Sequence, residues 1–176
     1  MDKIERPQNV WKDEFERRMD RVDRYFMYTL YSLSGPNPYV EVDVLQRAFQ
    51  GILQAIGADI SVNQFENVLA RLSRSLVRIV SRQHKILYTR EPYYNLLVPT
   101  DSSREITVLN PSVNDYLREV FRSPVLREFF KQHACYVEQI IHMCETEEEV
   151  EDEVRKLAED GRMMHMQSVH PDYSPA

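Results

Sequence analysis

The chain has 176 residues with a formal net charge of −6, enough length for one domain, or one domain with a helical extension, and for a real hydrophobic core. Two cysteines are too few to staple a secreted scaffold of this size, and four glycines are too few for a turn-rich all-β fold. No run of about eighteen apolar residues offers a membrane span, and Met1-Asp2-Lys3-Ile4-Glu5-Arg6 has no signal-peptide character. The expectation is a cytoplasmic protein with free thiols at Cys135 and Cys144 and no membrane partner.

The first helix is predicted from about Val10 to Leu33. Trp11, Phe15, Met19, Val22, Phe26, Leu30 and Leu33 step by threes and fours into a narrow apolar seam. Gly35-Pro36-Asn37-Pro38 stops it. A second helix is predicted from about Val44 to Ile56, with Leu45, Ala48, Phe49, Ile52, Leu53 and Ile56 inward and Gly57 as its C-terminal stop. Ser61-Val62-Asn63-Gln64 is a capping box that opens a third helix, whose buried stripe is Phe65, Val68, Leu69, Leu72 and Leu76. The end of that helix stays open, because Leu76–Val80 reads equally as helix or as the start of a strand.

Three short β-branched or aromatic runs follow, Ile86–Arg90, Tyr94–Val98 and Glu105–Leu109, and they predict a small antiparallel hairpin or three-stranded wing. Asn110 is a good N-cap and Pro111 falls at the first helical position, where no intrahelical donor is lost. Val113, Tyr116, Leu117, Val120 and Phe121 continue at helical spacing. Ser123-Pro124 repeats the device and opens a long helix bearing Leu126, Phe129, Phe130, Val137, Ile140, Ile141 and Cys144 on one face. Thr146-Glu147-Glu148-Glu149 is a further capping box, starting a helix with Val150, Val154, Leu157 and Ala158 inward and Gly161 at its end. From Met163 to Ala176 no periodicity remains, which predicts a frayed tail.

The predicted fold is mainly α with a small antiparallel β-wing: a winged helix-turn-helix over residues 10–122, a C-terminal helical extension over 123–161 and a flexible tail over 162–176. Charge is unevenly distributed. Residues 145–160 hold nine acids against Arg155 and Lys156, whereas residues 67–90 carry six bases and no acid. Arg71, Arg74 and Arg78, with Arg82 if the helix persists, would occupy an arc of about 80° beside the apolar stripe. Three readings of that arc stay open. It is a DNA-reading face, since the third helix of such a domain enters the major groove, or a dock for an acidic protein surface, or an ordinary solvated face.

His133, Cys135, His142 and Cys144 invite a zinc reading. One straight helix cannot bring four such ligands within ~2.0–2.3 Å of a metal, so no metal is expected. Ser112 has no G-x-S-x-G setting, and no P-loop of the form G-x-x-x-x-G-K-[ST] occurs, so neither catalysis nor a cofactor is expected.

The segment Val108-Leu109-Asn110-Pro111-Ser112-Val113-Asn114-Asp115-Tyr116-Leu117 resembles the "F-x-N/H-P-S-x-x-D-[YF]-[LI]" signature near the end of the winged-helix region in bacterial STAND-class NTPases. Those are large signalling ATPases, several of them antiviral. Asn9-Val10-Trp11, Phe15 and Arg24–Leu30 look like the start of that region. Tyr39–Leu45 looks like its entry to the second helix, and Ala134-Cys135-Tyr136-Val137-Glu138-Gln139 resembles its "A-x-Y-F-E-Q" helix. The ATPase core that precedes this region in the family has no counterpart here, so the resemblance implies an excised regulatory piece or a free-standing relative. It further implies a non-enzymatic module coupling nucleotide state to oligomerisation, with Asn110, Ser112 and Asp115 near a diphosphate. Its partners would be another protein, an ATPase core or a second copy, and the alternative is a DNA-binding regulator using the arginine helix.

Overall fold

The computed structural model describes residues 7–35, 38–84 and 101–164. It is mainly helical with one small antiparallel sheet, as expected. The first predicted helix is broken. α1 (Pro7–Asp13) runs into a π-helical turn (Glu14–Arg18), and the chain straightens at Met19 and Asp20 before α2 (Arg21–Leu33). The seam serves two different neighbours, which one straight rod could not reach. Phe15 packs on Tyr116 at 4.9 Å, whereas Phe26 meets Phe49 at 5.2 Å and Phe65 at 5.7 Å.

β1 (Val40–Glu41) leads directly into α3 (Val42–Ala55), and α4 (Val62–Leu72) follows. Ser61 caps α4 by accepting from the Gln64 N–H, while the Asp59 carboxylate accepts from the Ser61 backbone N–H and hydroxyl. α4 ends at Leu72, and after a turn the chain enters β2 (Val77–His84), which resolves the open end of the third helix as strand. β3 (Asp101–Val108) pairs antiparallel with both other strands, in the order β1–β3–β2. Val40 and Ile79 both stand opposite Ile106, and alternation turns Val77, Ile79, Ile106 and Val108 toward the core. The predicted runs Ile86–Arg90 and Tyr94–Val98 lie outside the described residues.

α5 (Pro111–Val120) begins at the Asn110 cap and α6 (Pro124–His133) at the Ser123 cap, both as predicted. The long helix predicted after Ser123 is two helices, because Ala134–Tyr136 is extended before α7 (Val137–Met143). The cause is Gln139, fully buried. Its side-chain oxygen accepts from the backbone N–H of Cys135 (3.1 Å) and Tyr136 (3.3 Å), and its amide donates to Ser32 Oγ on α2 (2.9 Å). These bonds start a new helix and shift its phase. Tyr136 turns inward, and Ile141, predicted to face in, is 56% exposed.

α8 (Glu147–Glu159) opens on Thr146, which accepts from the Glu149 N–H; the Glu149 carboxylate reaches back to the Glu145 N–H. Leu157 is buried on this helix, whereas Ala158 is exposed, contrary to the inward assignment. Gly161 follows at φ 66°, a conformation that favours glycine. The tail does not begin at Arg162. Arg162 donates to Gln132 O, Met164 N–H donates to Cys135 O, and Val137 N–H donates to Met164 O, so this stretch is pinned beside the α6–α7 break.

Gln139→Leu should cost about 2–3 kcal/mol, since two backbone donors at the break lose their acceptor. Urea denaturation checks this, and a loss below about 0.5 kcal/mol would mean that Gln139 does not hold the break.

Candidate functional site

The Asn110 turn is built from two ends of the chain. Asn110 Oδ1 accepts from the Ser112 N–H (3.0 Å) and from the Ser112 hydroxyl (2.9 Å), and Asn110 O accepts from the Val113 N–H. Trp11 Nε1–H on α1 donates to Ser112 Oγ at 2.7 Å, across 101 positions of sequence. One turn further along α5, Tyr116 packs on Phe15, and burial pushes its phenol up to about 12. α1 is thus latched to the start of α5 by a hydrogen bond and an aromatic contact. Asp115 points elsewhere and accepts from Arg118 at 3.2 Å. Of the three nucleotide-site candidates, Asn110 and Ser112 form one cluster and Asp115 stands beside it.

The four arginines do not share a helical face. Only Arg71 lies on α4; Arg74 sits in the turn after it, and Arg78 and Arg82 stand on β2 opposite Thr107 and Ser103. The helical arc fails because α4 stops at Leu72, and past that point the strand's period of two replaces 3.6. Arg71 is also engaged. It forms a forked pair with the buried Asp23 carboxylate on α2, Nε at 3.1 Å and Nη2 at 2.5 Å, and that hydrogen bonding holds its guanidinium above the usual value. Arg104 on β3, which the sequence did not single out, lies 3.9 Å from Glu66 of α4.

The histidines and cysteines are distributed around the α6–α7 break. His133 ends α6 with its ring 4.7 Å from Phe129, and burial, then the nearby Arg162, lowers its pKa. His142 on α7 stacks on Tyr31 at 4.7 Å, and its Nδ1 lies 3.3 Å from Ser32 O. A carbonyl can only accept, so Nδ1 carries the proton and Nε2 presents a lone pair. Burial holds His142 below its ordinary pKa, which keeps the ring neutral. Burial also pushes Cys135 and Cys144 each up to about 11, so both are protonated thiols and poor nucleophiles. Among the described residues no three His, Cys, Asp or Glu side chains converge as metal ligands.

Gln139 and Asp23 were missed by sequence reasoning. The "A-x-Y-x-E-Q" likeness marked Gln139 without explaining it; Asp23 carried no signal, because its partner lies 48 residues away.

A cleft of ≈ 550 Å³ opens between the C-terminus of α2, the outer face of α5 and α7. Tyr31, Leu33 and Ile141 supply its apolar wall, and Asn114, Arg118 and His142 its polar groups. Asn114 Oδ1 is buried there and has no hydrogen-bond partner.

Two outcomes are expected. Arg74→Glu and Arg78→Glu should each change stability by less than about 0.5 kcal/mol. Arg71→Glu should cost more, about 1–3 kcal/mol after discounting for the exposed guanidinium, because it leaves Asp23 unpaired. Equal effects in chemical denaturation would mean that the Asp23 pair is idle. The second outcome concerns pH. The folded-state pKa of His142 lies below the ordinary 6.5, so below that value the unfolded chain takes up protons that the native chain refuses. The associated stability is full above about pH 6.5 and is lost as pH falls. His142→Phe keeps the ring contact and should flatten the decline in melting temperature between about pH 7 and pH 5; an unchanged slope would remove His142 as its source.

Set against known protein families, curated proteins and solved structures, the chain matches none.

Proposed function

We propose that this chain is a non-enzymatic regulatory and interaction module, similar to the winged-helix region of STAND NTPases. The observation that carries the reading is the 2.7 Å hydrogen bond from Trp11 to Ser112. The two motif fragments behind the resemblance, the opening tryptophan and the Asn110-Pro111-Ser112 turn, are one contact in space. A link between an entry helix and a capped turn converts a change in either into a change in the other. The order helix, strand, helix, helix, strand, strand, helix, with the first strand paired beside the last, supports the winged-helix part of the reading.

In this reading Asn110 and Ser112 face the diphosphate of a nucleotide held mainly by an ATPase core, and Asp115 orients the turn. The N–H groups of Ser112 and Val113 already have acceptors within the turn, so a phosphate contact requires the Asn110 side chain to let go and the Trp11 latch to loosen. Nucleotide state would thereby reach α1 and, through it, be coupled to oligomerisation. Asparagine brings no positive charge to a phosphate, and the chain alone holds no phosphate loop. DNA recognition draws less support: Arg71 is committed to Asp23, and Arg104 on the neighbouring strand lies beside Glu66.

Titrating the full chain against mixed-sequence duplex at low and moderate salt tests the reading. No salt-dependent binding is expected, and steep salt dependence would establish the DNA-binding alternative instead. Calorimetry with ADP should show no micromolar binding. Asn110→Ala should cost about 1 kcal/mol, and Asn110→Asp, also a good cap, almost nothing. The Asp variant should nonetheless block nucleotide-dependent signalling wherever the chain acts with an ATPase core. A variant that signals like wild type would reduce Asn110 to a cap.

A further inference from the structure

The cleft beside α5 does not end at its own wall. Ile141 lines it and also lines a second cleft of ≈ 480 Å³ between α7 and the first turns of α8. That isoleucine is 56% exposed, whereas its helix neighbours Ile140 and Met143 are buried. The two clefts adjoin at Ile141 and together form a groove across it.

The groove is chemically polarised. At its first end, His142, whose Nδ1–H is directed to Ser32 O, presents Nε2 as an acceptor beside Arg118, which is paired with Asp115, and Asn114 Oδ1 lies buried beneath without a donor. Nε2 calls for an N–H donor. A backbone N–H of an extended strand supplies one, whereas those of a helix are spent internally. At the other end, Cys144 and Val150 continue the apolar floor between Glu147 and Glu151, both exposed and without a counter-ion among the described residues.

We propose that this groove, running across Ile141 from Asn114 to Glu151, docks an extended peptide segment of a partner protein, apolar at its centre and basic where it meets α8. The apolar residues cover the exposed Ile141 where it projects beside Tyr31, and Lys or Arg side chains pair with Glu147 and Glu151. This assignment names the partner chemistry of the interaction module and rests on that reading.

The test selects from a random dodecapeptide display library on the immobilised full chain, with counter-selection on Ile141→Glu. Residue 141 is exposed, so that variant should fold, which circular dichroism checks. Enriched peptides should carry an apolar run with Lys or Arg to one side. By fluorescence anisotropy, a synthesised peptide should bind Ile141→Glu, and also a Glu147→Lys/Glu151→Lys double variant, about tenfold or more weakly than wild type. Absence of any peptide that discriminates against Ile141→Glu overturns the proposal, as does enrichment of neutral or acidic sequences. Self-association in sedimentation that Ile141→Glu abolishes would assign the groove to a second copy and likewise overturn it. Peptides that bind wild type and Ile141→Glu equally overturn the groove but leave the interaction-module reading standing, whereas salt-steep duplex binding overturns that reading whatever the groove does.

Discussion

The C-terminal half of α2 has no solvent face, and the rest of the molecule is arranged around that constraint. Phe26, Met27 and every residue from Thr29 to Leu33 are buried, which a surface helix with a single apolar stripe would not show. Burying the helix all round is tolerable because its polar side chains are satisfied locally. Thr29 Oγ1–H donates to Tyr25 O and Ser32 Oγ–H to Thr29 O, both at 2.7 Å. Four helices then pack on it from different sides: α3 and α4 through Phe49 and Phe65, α5 through Phe121, and α7 through Gln139 and His142. α6 and α7 share this core with the sheet and the first helices, whereas Leu157 of α8 packs in a smaller cluster with Ala134 and Ile140.

That arrangement gives α5 two distinct faces. Ser112 and Tyr116 lie toward α1 and the π-turn, where the contacts are specific and close. Asn114 and Arg118, two positions further along in each case, line the groove that ends on α8. A tilt of α5 would therefore change the latch and the groove together. On the α1 side of the latch, the π-turn and the extended Met19–Asp20 step leave α1 joined to α2 by a short non-α link.

Electrostatics divide along the same lines. The ion pairs with structural consequence are those with one buried or nearly buried partner, Asp23 with Arg71 and Lys131 with Glu149. Lys131 ties α6 to the first turn of α8, and its hydrogen bond to Glu149 raises its pKa. The exposed i,i+3 pairs on α5 and α8 contribute little individually. Glu147 and Glu151 belong to neither group. The helix dipole favours Glu147 in the first turn of α8, yet no cation in the described residues uses the charge of either.

The sequence by itself determined what is decided within three or four residues. Asn110, Ser123, Ser61 and Thr146 all cap helices where they were expected to, because an N-cap bonds to N–H groups two or three positions on and needs no distant partner. The mainly helical class with a small antiparallel sheet was legible for the same reason, and so was the closeness of Asn110 to Ser112. Tertiary structure alone decided where two apparently continuous helices break. The apolar seams of both run on without interruption, and what interrupts the backbone is a second packing partner at Met19–Asp20 and the Gln139 side chain at Ala134–Tyr136. It also decided the fate of the arginines. Spacing allowed a helical stripe, but Val77 and Ile79 gain more by pairing with β3 and entering the core than by extending α4, and Asp23 claims Arg71 from 48 residues away. The Trp11–Ser112 bond and the groove at Ile141 are contacts of the same long-range kind, and no local pattern in the chain encodes them.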